Sequence, residues 1–205
     1  MAMPAWDIFF ERAVREVLVP GARVLDVGAG LRIDGARGNR VDPVRAWIRP
    51  LADAARYEVL DPVATYHPDI VADVQAMPQV PDAAYDAVFC LAVLEHVPRA
   101  WDAVREMRRV LKPGGRLVGH VPFLSPYHAM EGYYGDYVRL TSDGIRALCA
   151  EFASVDVVPV RGLAETLAHL VPGRQRALRA FARRIDALHP GSGKQTSGHY
   201  FVAIS

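Results

Sequence analysis

The chain has 205 residues, 51% of them hydrophobic and 23% charged, with a formal net charge of +1. That length suits one α/β domain with a full core and leaves little for a second. The near-zero charge supplies no whole-molecule field toward nucleic acid or an acidic membrane, so neither is expected as a partner.

Pro4 and the spacing of Ile8, Phe9, Ala13 and Val17 predict a short amphipathic helix within 1–20. The same stretch carries Asp7, Glu11 and Glu16 and no long apolar core, so it does not read as a signal peptide. No run of the chain reaches the length of a membrane span, and a cytoplasmic protein is expected. Cys90 and Cys149 sit in apolar stretches outside any C-x-x-C pair, which predicts buried thiols in a reducing compartment.

Arg23 to Val27 is a compact apolar run that breaks into Gly28-Ala29-Gly30, a buried strand entering a glycine turn. Residues 31–43 are polar and lack helical period, so a loop is predicted. Residues 44–56 recover a helical pattern that Pro50 should bend or interrupt. Further strands are predicted at 57–60, ending at Asp61-Pro62, at 70–72 and at 85–91.

A helix follows over 100–111, with Trp101, Val104, Met107 and Leu111 on one face. Lys112-Pro113-Gly114-Gly115 turns it into a fifth strand at 116–121. Thr141 reads as the N-cap of a helix carrying Ile145, Leu148, Cys149 and Phe152. A strand at 155–160, a helix-rich stretch over 162–188 and a last strand at 200–204 complete the chain. Strands apolar on both faces and alternating with helices mean a mainly parallel, doubly wound sheet.

Ligands of such sheets bind at the carboxyl ends of the strands, where strand order reverses. Gly28-Ala29-Gly30 lets the backbone approach a ligand closely, and Asp61 stands where a carboxylate can accept from both hydroxyls of a ribose. A dinucleotide fits poorly, because Leu31, Arg32 and Ile33 follow the bend where a small residue should open a helix under the pyrophosphate. A phosphate-free nucleoside fits better. No metal-ligand set is read from the chain.

Six segments in order resemble the class I S-adenosylmethionine-dependent methyltransferases, within them the methyltransferase type 11 group. Residues 24–30 look like the family's first motif, and residues 57–61 look like its second strand with the ribose-binding acid. Residues 72–78 resemble the adenine-binding stretch, and 85–91 with 93–97 the fourth strand and its following turn. Residues 109–115 and 136–141 are similar to the entry into strand five and to the segment before the next helix.

The resemblance implies a single Rossmann-like domain over 1–205, mostly parallel with an antiparallel last strand. It implies S-adenosyl-L-methionine as cofactor and S-adenosyl-L-homocysteine as product. Asp26, Gly28, Ala29 and Gly30 are then expected beside the methionine part, Asp61 at the ribose, Asp73 and the Val74 amide at the adenine, and Leu91 and His96 along the fourth strand's end. Val41-Asp42-Pro43 imitates the ribose acid but lies too close to Gly30 for a crossover helix.

Methyl transfer demands alignment and exclusion of water, and a base only when the acceptor arrives protonated. His128, His120 and Tyr134 are the candidate catalytic residues. His120 reads equally as a hydrogen-bonded core histidine, and the polar aromatics of 125–140 as a substrate lid or as a surface loop. That stretch and 162–198 are the expected substrate-side insertions. The arginines at 174, 176, 179, 183 and 184 read as a solvated face over an apolar face of Leu178, Phe181, Ile185 and Leu188.

A small-molecule acceptor is expected, since no segment is spare for recognising tRNA or DNA. Competing readings are a non-methylating enzyme on the same fold such as a cyclase, an NAD(P)-binding oxidoreductase, and a binding module that has lost its site.

Overall fold

A computed structural model describes residues 3–35, 41–171, 175–188 and 193–205. Its centre is a seven-stranded sheet of β1 (Arg23–Val27), β2 (Arg56–Asp61), β3 (Ile70–Val71), β4 (Tyr85–Leu91), β5 (Leu111–Pro122), β6 (Ser154–Val160) and β7 (Gly198–Ile204). The strand order is β3-β2-β1-β4-β5-β7-β6. Pairs from β3 through β5 are parallel, and β7 runs antiparallel to both its neighbours. The order reverses between β1 and β4, so the crevice of a doubly wound sheet opens at their carboxyl ends.

Two apolar layers cover the two faces. On one, α3 (Ala100–Val110) and α4 (Ser142–Leu148) pack Val104, Met107, Ile145 and Leu148 against Leu25, Val88 and Leu117. On the other, α1 (Ala5–Val17) packs Phe9, Phe10, Val14 and Val17 with Leu31, Ile33 and Ile48 against Val24, Phe89 and Val118. Leu31 and Ile33 therefore anchor the loop after the glycine bend in the core, which compensates locally for the missing first helix. Both cysteines are buried and unpaired.

The structure corrects four details. Residues 43–48 form a 3₁₀ turn capped by Asp42, whose side chain accepts from the Val44 amide at 3.1 Å. Pro50 then sits in the first turn of α2 (Arg49–Ala54), where its missing N–H is harmless, so it begins a helix instead of breaking one. Trp101 is exposed; the buried face of α3 is Ala100, Ala103, Val104, Met107 and Val110. Thr141 caps α4 as predicted, its Oγ1 accepting from the Gly144 amide at 3.0 Å, but the helix ends before Phe152, which packs from the following turn.

The fourth correction concerns α5 (Leu163–Leu170) and α6 (Gln175–Leu188), which pack as a hairpin. Leu178, Phe181, Ile185 and Leu188 of α6 are exposed, and the partly exposed Arg183 reaches the buried Glu165 of α5 at 2.8 Å. Asp186 accepts from the Ala164 and Glu165 amides, both at 2.9 Å, and so caps the open end of α5. The helix is rotated by these charge pairings, against its own apolar stripe. Arg174 and the side chain of Arg176 lie outside the described residues.

One glycine makes the sheet possible at its centre. Gly119 of β5 faces Phe201 of β7, and a Cβ there would lie 2.1 Å from the buried Phe201 ring. Gly119→Ala should lower stability by about 1–3 kcal/mol, the usual range for overpacking a core. Urea unfolding followed by circular dichroism measures it, and an unchanged midpoint would contradict this packing.

Candidate functional site

Strand β1 enters the crevice through a left-handed bend: Gly28 has φ +73° and Ala29 φ +49°. A Cβ on Gly30 would lie 2.7 Å from the Leu91 carbonyl oxygen, so β1 and β4 approach here more closely than any side chain permits. After Gly30 the chain runs on without a helix through Asp34, so no helix opens directly from the bend.

Asp26, expected beside the cofactor, is spent inside the protein. Its carboxylate accepts from the Gly30 amide (3.1 Å), the Leu31 amide (3.0 Å) and the Tyr57 hydroxyl (2.5 Å). It is fully buried, and burial pushes its pKa up to about 6 against those hydrogen bonds. Its role is to hold the bend in shape. Arg45 closes the bend from the other side, donating to the Gly30 carbonyl at 2.7 Å.

Asp61 ends β2. One of its oxygens accepts from the Val63 amide at 2.8 Å; the other has no hydrogen-bond partner among the described residues. Burial raises its pKa. Asp73 follows β3 and is exposed, its oxygens bonded to the Gln75 amide and side chain at 2.9–3.1 Å, while Val74 beside it is buried. The bend, Asp61 and Asp73 thus stand at the ends of three adjacent strands, in the order the sequence predicts.

The end of β4 carries Leu91, which is buried, and a 3₁₀ turn over Leu94–His96. Residues 125–140 are bound onto this turn: the Tyr137 amide donates to the Glu95 carbonyl at 2.7 Å, and His96 Nδ1–H donates to the Gly135 carbonyl at 2.6 Å. Tyr134 lies over His96 with ring centroids 4.3 Å apart, and Tyr133 stacks on Tyr66 beyond the end of β2. The segment spans the strand ends from β2 to β4.

His128, in the same segment, lines a cleft of about 400 Å³ together with Gly30, Leu91, Glu95, His120 and Arg161. Its Nδ1–H donates to the Pro126 carbonyl at 3.0 Å and its Nε2 lies 3.6 Å from Glu95 Oε1. The carboxylate raises the imidazole's pKa while burial opposes it. Asp136 accepts from the His128 amide at 2.9 Å and pairs with Arg139 through both oxygens, which holds its carboxyl well below the usual range. The pair fixes the backbone that carries His128.

His120 faces the cleft from β5, its ring 4.9 Å from Tyr200. Burial, reinforced by the Arg45 and Arg161 guanidiniums, lowers it to about 3, so it stays neutral and is a weak base. Glu95 is the residue that sequence reading passed over. Its side chain is 1% exposed, and neither carboxylate oxygen accepts a hydrogen bond from a described residue. Its burial and its contacts with His96 and with His128, 33 positions on, distinguish it.

The chain is similar to known methyltransferases in sequence and in fold. Residues 25–119 match the family model Methyltransf_11, described as a methyltransferase domain. The ubiquinone biosynthesis O-methyltransferase of Pseudomonas aeruginosa (strain UCBPP-PA14) is 35% identical over 101 residues, which cover 47% of this chain and 43% of that protein. The aligned part is therefore less than half the length of that curated relative. Among solved structures, a S-adenosylmethionine-dependent methyltransferase from Archaeoglobus fulgidus superposes with a TM-score of 0.59 at 15% identity, covering 98% of this chain and 95% of that one. The [4+2]-cyclase SpnF gives 0.50 at 22% identity, covering 96% and 80%. At those identities the likeness is one of fold.

Proposed function

We propose, for a chain that belongs to the class I S-adenosylmethionine-dependent methyltransferases, that it transfers the methyl group of S-adenosyl-L-methionine to an oxygen, nitrogen or carbon atom of a small molecule. The observation that carries this reading is the run of strand ends: a bare glycine bend on β1, Asp61 on β2 and Asp73 after β3 beside the switch point. The absence of a helix at Gly30 favours a nucleoside without phosphates over a dinucleotide.

In this reading Asp61 receives the ribose hydroxyls, and Asp73 with the Val74 amide reads the adenine edge. Gly28 to Gly30 and Leu91 form the wall along the methionine part. The cofactor supplies a sulfonium-bound methyl group, and the protein holds the acceptor in line with it and keeps water out. Residues 125–140 cover the strand ends from Tyr66 to His96, which supports their role as a substrate-side cover. Helix α5 contributes Arg161's neighbour Glu165 and, through His169, bounds the far side of the cleft. A protonated acceptor would lose its proton at the Glu95–His128 side of the cleft, since His120 is too weak a base.

The curated O-methyltransferase relative supports a small-molecule acceptor. The fold likeness to the [4+2]-cyclase supports one second reading, a cyclisation that leaves the cofactor intact. Among the described residues no helix is long and apolar enough to cross a membrane.

Thermal-shift measurements with S-adenosylmethionine, S-adenosylhomocysteine and NAD⁺ test the binding reading. Stabilisation by the two sulfur nucleosides alone is expected; stabilisation by NAD⁺ alone, or by none, would overturn it. Release of S-adenosylhomocysteine during turnover of a phenol and amine panel separates methyl transfer from cyclisation.

A further inference from the structure

Glu95, His96 and His128 bring one buried carboxylate and two imidazoles to a single point. Their ligating atoms all lie within 4.8 Å of one another. Each imidazole gives its Nδ1–H to a backbone carbonyl, His96 to Gly135 and His128 to Pro126. In the neutral rings this leaves Nε2 as the unprotonated nitrogen, and both Nε2 atoms lie near Glu95 Oε1, at 3.8 and 3.6 Å. Metal-binding histidines are held in this way, the second nitrogen donating to a carbonyl or carboxylate.

The separations also fit. Two ligands about 2.0–2.1 Å from a tetrahedral zinc ion stand roughly 3.4 Å apart, so the two Glu95 contacts need to close by only a few tenths of an ångström. The third edge closes by a swing of the half-exposed His128 ring. Glu95 supplies the independent reason to place something there: a carboxylate with 1% exposure and no hydrogen bond from a described residue is costly to leave unmatched.

We propose that Glu95, His96 and His128 bind one divalent first-row transition ion, zinc or a similar cation, on the wall of the cleft. Two imidazoles and one carboxylate select such an ion over magnesium or calcium, which prefer oxygen donors. Three protein ligands leave a coordination position open to the cleft. The ion's catalytic use rests on the methyl-transfer reading; its binding does not. An acceptor hydroxyl entering the open position would lose its proton to water. Its oxygen would then form the new bond to the methyl carbon as the sulfur–methyl bond breaks and the sulfonium becomes a thioether.

Cobalt(II) titration of the full chain, stripped with chelator, tests the binding directly. One equivalent should give visible d–d absorption, displaced by zinc and not by a large excess of magnesium. His128→Asn should weaken zinc binding by more than about a hundredfold, beyond the tenfold to hundredfold typical of losing a supporting contact. Glu95→Gln should do the same, and circular dichroism checks that both variants fold; His128 lies in a half-exposed loop, so its variant keeps the test valid if the Glu95 variant does not fold. Absence of the cobalt band, or a band unchanged in His128→Asn, overturns the proposal. S-adenosylhomocysteine binding, measured by calorimetry on the same stripped protein, reports separately on the cofactor reading, so either can fail without the other.

Discussion

Asp61→Ala should weaken the binding of S-adenosylhomocysteine by at least about a hundredfold while leaving the unliganded protein nearly as stable as before. The asymmetry follows from where the carboxylate's contacts lie. Within the protein it accepts one hydrogen bond, from Val63 in a turn just past β2, and its second oxygen has no partner among the described residues. Toward a ribose it would accept two, each a hydrogen bond to a charged group, and such bonds contribute about 1.5–3 kcal/mol. Losing both removes two to four orders of magnitude of affinity.

Burial already raises Asp61's pKa, so the protein bears a cost in keeping this carboxylate where it is. Removing it relieves that cost and offsets the lost turn hydrogen bond. Isothermal calorimetry gives the affinity and urea unfolding the stability. Unchanged affinity would remove Asp61 from the site and with it the alignment of the three strand ends. Loss of stability as large as the loss of affinity would make Asp61 a structural residue.

Asp61 was legible in the sequence because a strand apolar on both faces has to end somewhere, and a carboxylate at that end is exposed to whatever the crevice holds. The same logic fixes β1 and β4, whose ends at Val27 and Leu91 match the apolar runs. What period and composition cannot show is a pairing made across the fold. The α6 stripe of Leu178, Phe181 and Ile185 predicts a buried face. The helix turns instead to bring Arg183 to Glu165 and Asp186 to the end of α5, two contacts about twenty positions apart.

Glu95 was missed for a related reason. Beside Leu94 and His96 it looks like an ordinary helix-start residue, and its buried carboxylate acquires meaning only when a loop 33 positions later lays His128 next to it. Gly119 likewise reads as a neutral strand residue until Phe201 arrives from the chain's end. Asp26 is the instructive intermediate: its place near the end of β1 follows from the sequence, and the direction of its carboxylate does not. Nothing in Val24-Leu25-Asp26-Val27 tells whether the carboxylate faces the crevice or the interior, and Tyr57 on the neighbouring strand decides it.

That inward direction gives Asp26 an unusual pH signature, testable with Asp26→Asn. The folded protein holds its carboxyl at about 6, against an ordinary value of 3.8. Between those values the folded state keeps a proton that the unfolded state has released, so stability falls as pH rises. The contribution is fully present below 3.8 and is lost as pH climbs through about 6. From pH 5.0 to pH 7.5 the wild-type protein should lose about 1.4 kcal/mol through this group. Asparagine does not titrate, so the variant keeps no such loss. It carries a fixed cost instead, because its amide turns two donors toward the Gly30 and Leu31 amides and the Tyr57 hydroxyl, all of which donate to the carboxylate. The variant should therefore be less stable than wild type by several kcal/mol at pH 5.0, and the gap should narrow by about 1.4 kcal/mol at pH 7.5. Urea unfolding of both proteins at the two pH values measures the difference directly, with every other titrating group common to both. A gap that stays constant between the two pH values would mean that the folded protein does not raise the Asp26 carboxyl, and that the bend at Gly28 to Gly30 is already held by an ionised carboxylate at pH 5.0.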